Sequence, residues 1–477
     1  MRVSPLWRAI SVRAVVAQFD NAGGGWQARF INRAGKPGLE GGSTMSTTEM
    51  RRARGMKAEL GGATEVRWTH VAPTLLIIWI VMTVDKGNMS IVQNNQAFLD
   101  ELGLNGQQAR IGLLSTGLIL AFGFSAPIWG WVVNRIGARR TAALSLIIWG
   151  LTCFWSGLAS NYGSLLSSRI FLGFGEGATY SCTYALVAHW FALKERGRAT
   201  ALWWIGTMIA PMFTGLVVTF LIVNFGWRAQ FHALGVLALI LPLPMLWFLV
   251  RDRPAEHPAA NAAETGLVEA GSLENNEDAP GRVARAESRP WFSNIRFWLV
   301  TIAISANNIM YWGWAIWLPT YLRTARGFSF SGSGYLTFVI FGFAVATILI
   351  IGQLSDKIFR RAPLAAVGWI FAAAFLMGSA LAPSPMWSVV LSICALCSQQ
   401  VGISCVEMLM HSVVSEKEMG MSQGVRVMVS QLTGALSPLM IGVILQVTGG
   451  FVGAFVVLSL AIVIAAACMI KLAREGY

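Results

Sequence analysis

Runs of about twenty apolar residues alternate with short polar and basic stretches almost without pause from Trp68 to Leu472. An α-helix needs about 20 apolar residues to cross the ~30 Å hydrocarbon layer of a bilayer, so each run predicts a membrane-spanning helix. Twelve spans are expected, at approximately 70–92, 110–132, 141–159, 164–190, 199–223, 231–250, 296–321, 333–354, 364–382, 386–411, 422–447 and 451–471. The one long polar interruption between spans runs from Arg251 to Pro290 and divides them six and six. The predicted organisation is an extension over 1–66, a six-helix half over 67–250, a linker over 251–295 and a second six-helix half over 296–477.

Residues 1–66 are polar, glycine-rich and basic, and lack a long apolar segment followed by a small-residue cleavage site. That pattern argues against a cleaved signal peptide and for a disordered cytoplasmic extension. Met45, Met50 and Met56 offer later starts, so residues 1–44 are read as a candidate mis-assigned start. The linker composition predicts a flexible cytoplasmic segment.

Only 12% of the 477 residues are charged and 55% are hydrophobic, against about 25% charged in soluble domains, which makes this an all-α membrane protein. The net charge of +13 falls into short clusters rather than one stripe, so it does not predict a nucleic-acid partner. With the amino terminus inside, Arg135, Arg139, Arg140, Lys194, Arg196, Arg198, Lys357, Arg360 and Arg361 lie in cytoplasmic loops. Outer loops hold fewer basic residues, such as Arg228, Arg323 and Arg326, and both termini are expected to be cytoplasmic. All six cysteines lie in apolar segments, and the Cys394-x-x-Cys397 pair lacks a second pair or a histidine cluster, so neither metal nor disulfide framework is expected. The sequence shows no nucleotide loop or nucleophile constellation and no soluble domain long enough to hold a site, and predicts neither an enzyme nor a cofactor.

A charged side chain at a helix centre costs at least ~2.5–3.5 kcal/mol on insertion scales, so Asp85, Lys86, Arg169, Glu176 and Glu407 each require a cause. Arg426 lies nearer a span end, where its side chain can snorkel. In "SSRIFLGFGEGATYS" Arg169 and Glu176 are separated by about 700° of helix rotation and about 10 Å, which puts them on one face but beyond each other's reach. Each is predicted to meet partners on the first span, or a ligand. Asp85 and Lys86 are about 100° apart, so one can face a cavity while the other pairs with a neighbouring helix. The alternative is purely structural ion pairing between helices or near a helix end.

A short signature occurs twice, as "GWVVNRIGARR" (Gly130 to Arg140) and "GQLSDKIFRR" (Gly352 to Arg361), each after the second span of its half. This internal repeat predicts two pseudo-symmetric halves. At these residues the chain resembles the major facilitator superfamily, whose loop between the second and third helices carries G-x-L-x-D-R-x-G-R-R. The resemblance implies the major facilitator fold and a conformational latch at Gly130, Asn134, Arg135, Arg139, Gly352, Asp356, Lys357 and Arg360. Asn134 stands where the pattern has Asp, which weakens the first copy.

"VDKGNMSIV", "RIFLGFGEGATYSCTYALVAHWFALKERGRA", "GWRAQF", "WLPTYL" and "DRPAEHP" together resemble the anion:cation symporter branch of that superfamily, which includes bacterial aldonate and glucarate carriers and animal sialin-type transporters. The resemblance implies proton coupling at Asp85 and Glu176, with the substrate anion contacted by Lys86, which replaces the usual Arg, and by Arg169. Burial opposes the charged form of Glu176 and a nearby guanidinium favours it, so movement of Arg169 would load or release the proton. Asn308 matches the branch's helix 7 Asn, and Gln431 occupies the place of a frequent Asn. These two, with Tyr311, Gln399 and Gln400, are candidate partners for substrate hydroxyls; interhelical hydrogen bonding is the alternative role. Glu407 has no counterpart in the branch pattern and is open between a proton site, a cation contact and a position away from the cavity. His189, His232 and His411 lack ligand-like spacing and are expected to be structural. The expected function is proton-coupled uptake of a small organic anion, a sugar acid or related carboxylate, by a monomer in a bacterial inner membrane. The alternative is a proton-coupled exporter of drugs or metabolites, because "GTMIAPMFTG" (Gly206 to Gly215) partly resembles the antiporter motif, with Ala210 and Thr214 in place of two glycines. Small residues there also suit helix packing.

Overall fold

The computed structural model describes residues 64–268, 291–355, 361–414 and 419–476, and two dipeptides, Gln18–Phe19 and Trp26–Gln27, that pair antiparallel. The dipeptides belong to a separate unit, Met1–Gly61, and the other residues up to 63 lie outside the described residues. The helices belong to the second unit, Gly62–Tyr477.

Among the described residues of this unit there are twelve helical spans. The first half comprises α1 (Arg67–Val92), α2 (Gln108–Ile136), α3 (Ala138–Leu158), α4 (Tyr162–Glu176 continued by Ala178–Trp190), α5 (Leu193–Phe225) and α6 (Trp227–Leu249). The second comprises α7 (Ile295–Thr320), α8 (Phe330–Ser355), α9 (Arg361–Leu381), α10 (Pro385–Val413), α11 (Met419–Ala435 continued by Ser437–Thr448) and α12 (Phe451–Arg474). Ten spans among the described residues are apolar enough to qualify as membrane-crossing on composition alone. The two that do not, α4 and α7, are the ones diluted by Arg169 and Glu176 and by Asn307 and Asn308. Tight antiparallel connections rely on glycine where the backbone enters the positive-φ region, at Gly137 (φ 87°) between α2 and α3 and Gly226 (φ 84°) between α5 and α6.

The packing pattern repeats. In the first half α1 packs on α5, α2 on α4 and α3 on α6; in the second α7 packs on α11, α8 on α10 and α9 on α12. The halves meet through α2 against α11 and α5 against α8, the symmetry-related positions. These junctions are tight at the end of the bundle that carries the 93–107 connection. A Cβ at Gly112 would strike the carbonyl oxygen of Pro438, and one at Gly442 the carbonyl of Gln108. A Cβ at Gly215 would lie 2.5 Å from the Gly334 carbonyl. Gln93 donates from Nε2 to the Ile316 carbonyl and Thr320 Oγ1, and the Leu439 amide donates to Thr116 Oγ1. One apolar cluster, including Val92, Phe98, Ile222, Trp314 and Phe455, spans both halves at this end, whereas a second, including Trp79, Trp149 and Trp203, lies almost wholly in the first half. The "GTMIAPMFTG" stretch serves this packing: Gly206 abuts Leu76 and Ile80 of α1, and Gly215 abuts α8.

The segment expected as a flexible linker is ordered over its first part. Trp190 Nε1 donates to the Arg251 carbonyl at 2.8 Å, and the Arg139 amide donates to Asp252 Oδ1 at 2.8 Å. Glu264 is fully buried and accepts from Thr64 Oγ1, the Val66 and Arg67 amides and Arg67 Nη1. Arg67 also pairs with Glu195 at 2.9 Å. Composition alone hides this, because each of these polar groups is matched by one distant in sequence. Residues 269–290 lie outside the described residues.

Replacing Gly112 or Gly442 by Leu is expected to hold the two halves apart where backbone now meets backbone. Spin labels at the exposed positions Asn105 and Thr448, read by pulsed dipolar spectroscopy, should report a longer distance in either variant than in the parent.

Candidate functional site

One turn of α1 concentrates the buried polar chemistry. The helix is loosened at Asn88, whose amide bonds back to the Asp85 carbonyl, and Asp85, Lys86 and Asn88 are all at most 6% exposed. Asp85 points into the first half. Its Oδ1 accepts from Asn88 Nδ2 at 2.7 Å, and its Oδ2 accepts from Trp149 Nε1 at 2.7 Å and from the Cys153 thiol at 3.0 Å, both on α3. Arg169 of α4 donates from Nη2 to Asn88 Oδ1 at 2.6 Å and lays its guanidinium over the Phe231 ring of α6 at 4.6 Å. Asn88 therefore links the guanidinium to the carboxylate.

Lys86 takes a different direction. Its Nζ lies 3.8 Å from Glu176 Oε2, an ion pair too long for a hydrogen bond, and 3.4 Å from the centroid of the Phe122 ring. Arg169 and Glu176, on one face of α4, thus meet two successive partners on α1. Glu176 is fully buried with no hydrogen-bond partner on either carboxylate oxygen. Its charge is balanced chiefly by an ammonium it does not touch.

A cleft between the halves runs beside this turn. Thr83, Gly87 and Ser90 of α1 line it, faced by Thr214 of α5, Tyr311 of α7 and Thr337 of α8. On an ideal helix the first three share a face, Lys86 is turned about 60° from its centre, and Asp85 points nearly opposite. Lys86 therefore flanks the cleft while Asp85 lies behind it. Thr214 and Thr337 donate to the carbonyls of Ala210 and Ser333, leaving oxygen lone pairs directed away from their own helices.

The other sequence candidates divide. Tyr311 lines the cleft. Asn308 packs against Gly434 of α11, and Gln431 accepts a long hydrogen bond, 3.4 Å, from Trp312 Nε1. Gln399 donates to Asn307 Oδ1 at 2.6 Å and so joins α10 to α7, while Gln400 is buried beside it. The Glu407 side chain lies outside the described residues. Among the latch residues, Gly130 sits over Ser181 of α4, and Asn134 and Arg135 are exposed, with Arg135 over Trp131. Arg139 stacks on Trp247, and its amide donates to Asp252 Oδ1 of the linker. Gly352 lies in α8, and Asp356, Lys357 and Arg360 lie outside the described residues.

Sequence reading missed Asn88, Trp149, Cys153, Asn307 and the hydroxyls of the cleft. Asn88 carried a usable signal, being three residues beyond Asp85 on the same helical face. Trp149 and Cys153 carried none, since each is an ordinary residue of an apolar span.

Two six-helix halves around a cleft, with opposite charges buried beside it, define a membrane transporter fold. The chain belongs to the Major Facilitator Superfamily, whose pattern matches residues 74–438, and it is a multi-pass membrane protein of a transporter family. It is 26% identical over 400 residues to the probable L-galactonate transporter of Escherichia coli (strain K12), covering 82% of this chain and 86% of that one. It is 25% identical over 417 residues to the probable galactarate/D-glucarate transporter of Bacillus subtilis (strain 168), covering 83% and 89%. A bacterial homolog of the human lysosomal transporter Spinster, solved in an inward-facing and occupied conformation, superposes with a TM-score of 0.69 at 18% identity, covering 87% of this chain and 98% of the other.

Removing one member of the buried ion pair strands the other. Glu176→Ala is expected to destabilise the protein by about 3–5 kcal/mol in reversible detergent unfolding, and Lys86→Met combined with Glu176→Leu to recover most of that loss.

Proposed function

We propose that the protein carries sugar acids into the cell together with protons, alternately exposing the cleft to the two sides of the membrane. The observation that carries this reading is the Lys86–Glu176 pair at the edge of the cleft. With Glu176 ionised, the ammonium is committed to it. A proton on Glu176 removes that charge and frees Lys86 for a substrate carboxylate, so proton and anion occupy the site together. The cleft sets the hydroxyls of Thr83, Ser90, Thr214, Tyr311 and Thr337 among apolar groups, a mixed lining that on opening suits both the hydroxyls and the C–H faces of such an acid. The relatives' names give the same substrate class. The junction closed by Gly112 and Gly442 is assigned to the outer side, by the excess of basic residues at the opposite end. The membrane is assigned as a bacterial inner membrane, with both termini cytoplasmic.

Purified protein in proteoliposomes, with labelled L-galactonate or D-glucarate supplied outside, tests the reading. An inward proton gradient should drive accumulation. Glu176→Gln should abolish accumulation while retaining exchange of substrate across the membrane. Lys86→Ala should weaken substrate binding by about 10- to 100-fold, the usual loss for a charge-assisted contact. Uptake indifferent to both the gradient and Glu176→Gln would rule the proposal out.

A further inference from the structure

Resting on the reading of Asp85 as a proton site, we infer that Trp149 and Cys153 are positioning residues that set its proton affinity and tie its protonation to the contact between α1 and α3. The two lie four residues apart on one face of α3, are fully buried, and both donate to Asp85 Oδ2. Asn88 donates to the other oxygen, and its amide orientation is set by Arg169, which requires the Asn88 oxygen on its own side. The carboxylate thus accepts from three donors. The charged groups that act on it are Arg169 from α4 and Lys86 on α1, with Glu176 beyond Lys86; α3 contributes the titratable thiol of Cys153.

This set has no good place for a proton on Asp85. A protonated carboxyl must donate, but the indole N–H has no lone pair, Asn88 presents its NH2 group, and thiol sulfur is a weak acceptor. Protonation therefore drives at least one donor away. At Oδ2 the contact that loosens joins α1 to α3, and at Oδ1 it is the Asn88 bridge to Arg169. Proton occupancy is in this way reported to two neighbouring helices, and the donors on α3 determine how readily it occurs.

The experiment is a pH titration of the full chain in lipid by infrared difference spectroscopy, with no substrate. The carboxyl band of Asp85 is assigned by its loss in Asp85→Asn, and the thiol S–H stretch of Cys153 by its loss in Cys153→Ala. Acidification of the parent should bring up the first band and shift the second with the same midpoint. Trp149→Phe should move the Asp85 midpoint to higher pH by about one unit or more, as expected when a charged acceptor loses one neutral donor. Cys153→Ala should move it in the same direction by less, and Cys153→Ser, which keeps a donor, should restore it. Midpoints unmoved in both Trp149→Phe and Cys153→Ala, an S–H stretch blind to the titration, or no carboxyl band assignable to Asp85 would each overturn the inference. The alanine variant removes only one sulfur atom and keeps the test valid should Trp149→Phe fail to fold. Gradient-driven uptake that survives both Asp85→Asn and Glu176→Gln would instead remove the reading of these two carboxyls as the coupling sites, leaving the titration to stand on its own result.

Discussion

Asp85, Lys86, Arg169 and Glu176 are buried in the first half and must find partners inside it, and one turn of α1 brings those partners together. Asp85, Lys86 and Asn88 connect that helix to α3 through Trp149 and Cys153, and to α4 through Arg169 and Glu176. The desolvation cost of these groups is offset only while the helices keep this register. A slide or rotation of α1 by a fraction of a turn would separate every pair at once. The first half is consequently held by directional contacts as well as by apolar packing.

The second half is built differently around its equivalent position. Its described contacts around the cleft join neutral groups, Gln399 with Asn307 and Trp312 with Gln431, with Tyr311 and Thr337 in the cleft lining, and its buried guanidinium, Arg426 of α11, donates to neutral Gln423. Neutral hydrogen bonds cost less to break and re-form than buried charges. The cleft is thus lined by neutral groups from both halves, with the buried charges of the first half lying behind one wall.

Much of this architecture was legible in the apolar runs, because a helix in a bilayer must be long, apolar and internally bonded. The twelve spans, the six-and-six division and the repeat about "GWVVNRIGARR" and "GQLSDKIFRR" follow from those demands. The charged residues of the site were legible for the opposite reason: charge is costly there, so each instance is informative. Trp149 and Cys153 were not, since their importance comes from a carboxylate more than sixty positions away that only folding brings near. The ordered start of the linker was hidden in the same way, as Glu264 and Thr64 belong to polar stretches that look alike in sequence but meet in space.

The contact between α2 and α11 brings main chain against main chain at Gly112 and Gly442, and Thr116 Oγ1 and Gln446 Oε1 each accept a backbone N–H across it. A junction of that kind is specified mainly by shape, with its polar side chains spent on backbone N–H groups of the facing helix. The lining of the cleft can therefore diversify, by mutation in nature or at the bench, without renegotiating how the two halves close. The residues that line the cleft and the glycines that let the halves approach are separate sets, and a change in one need not disturb the other.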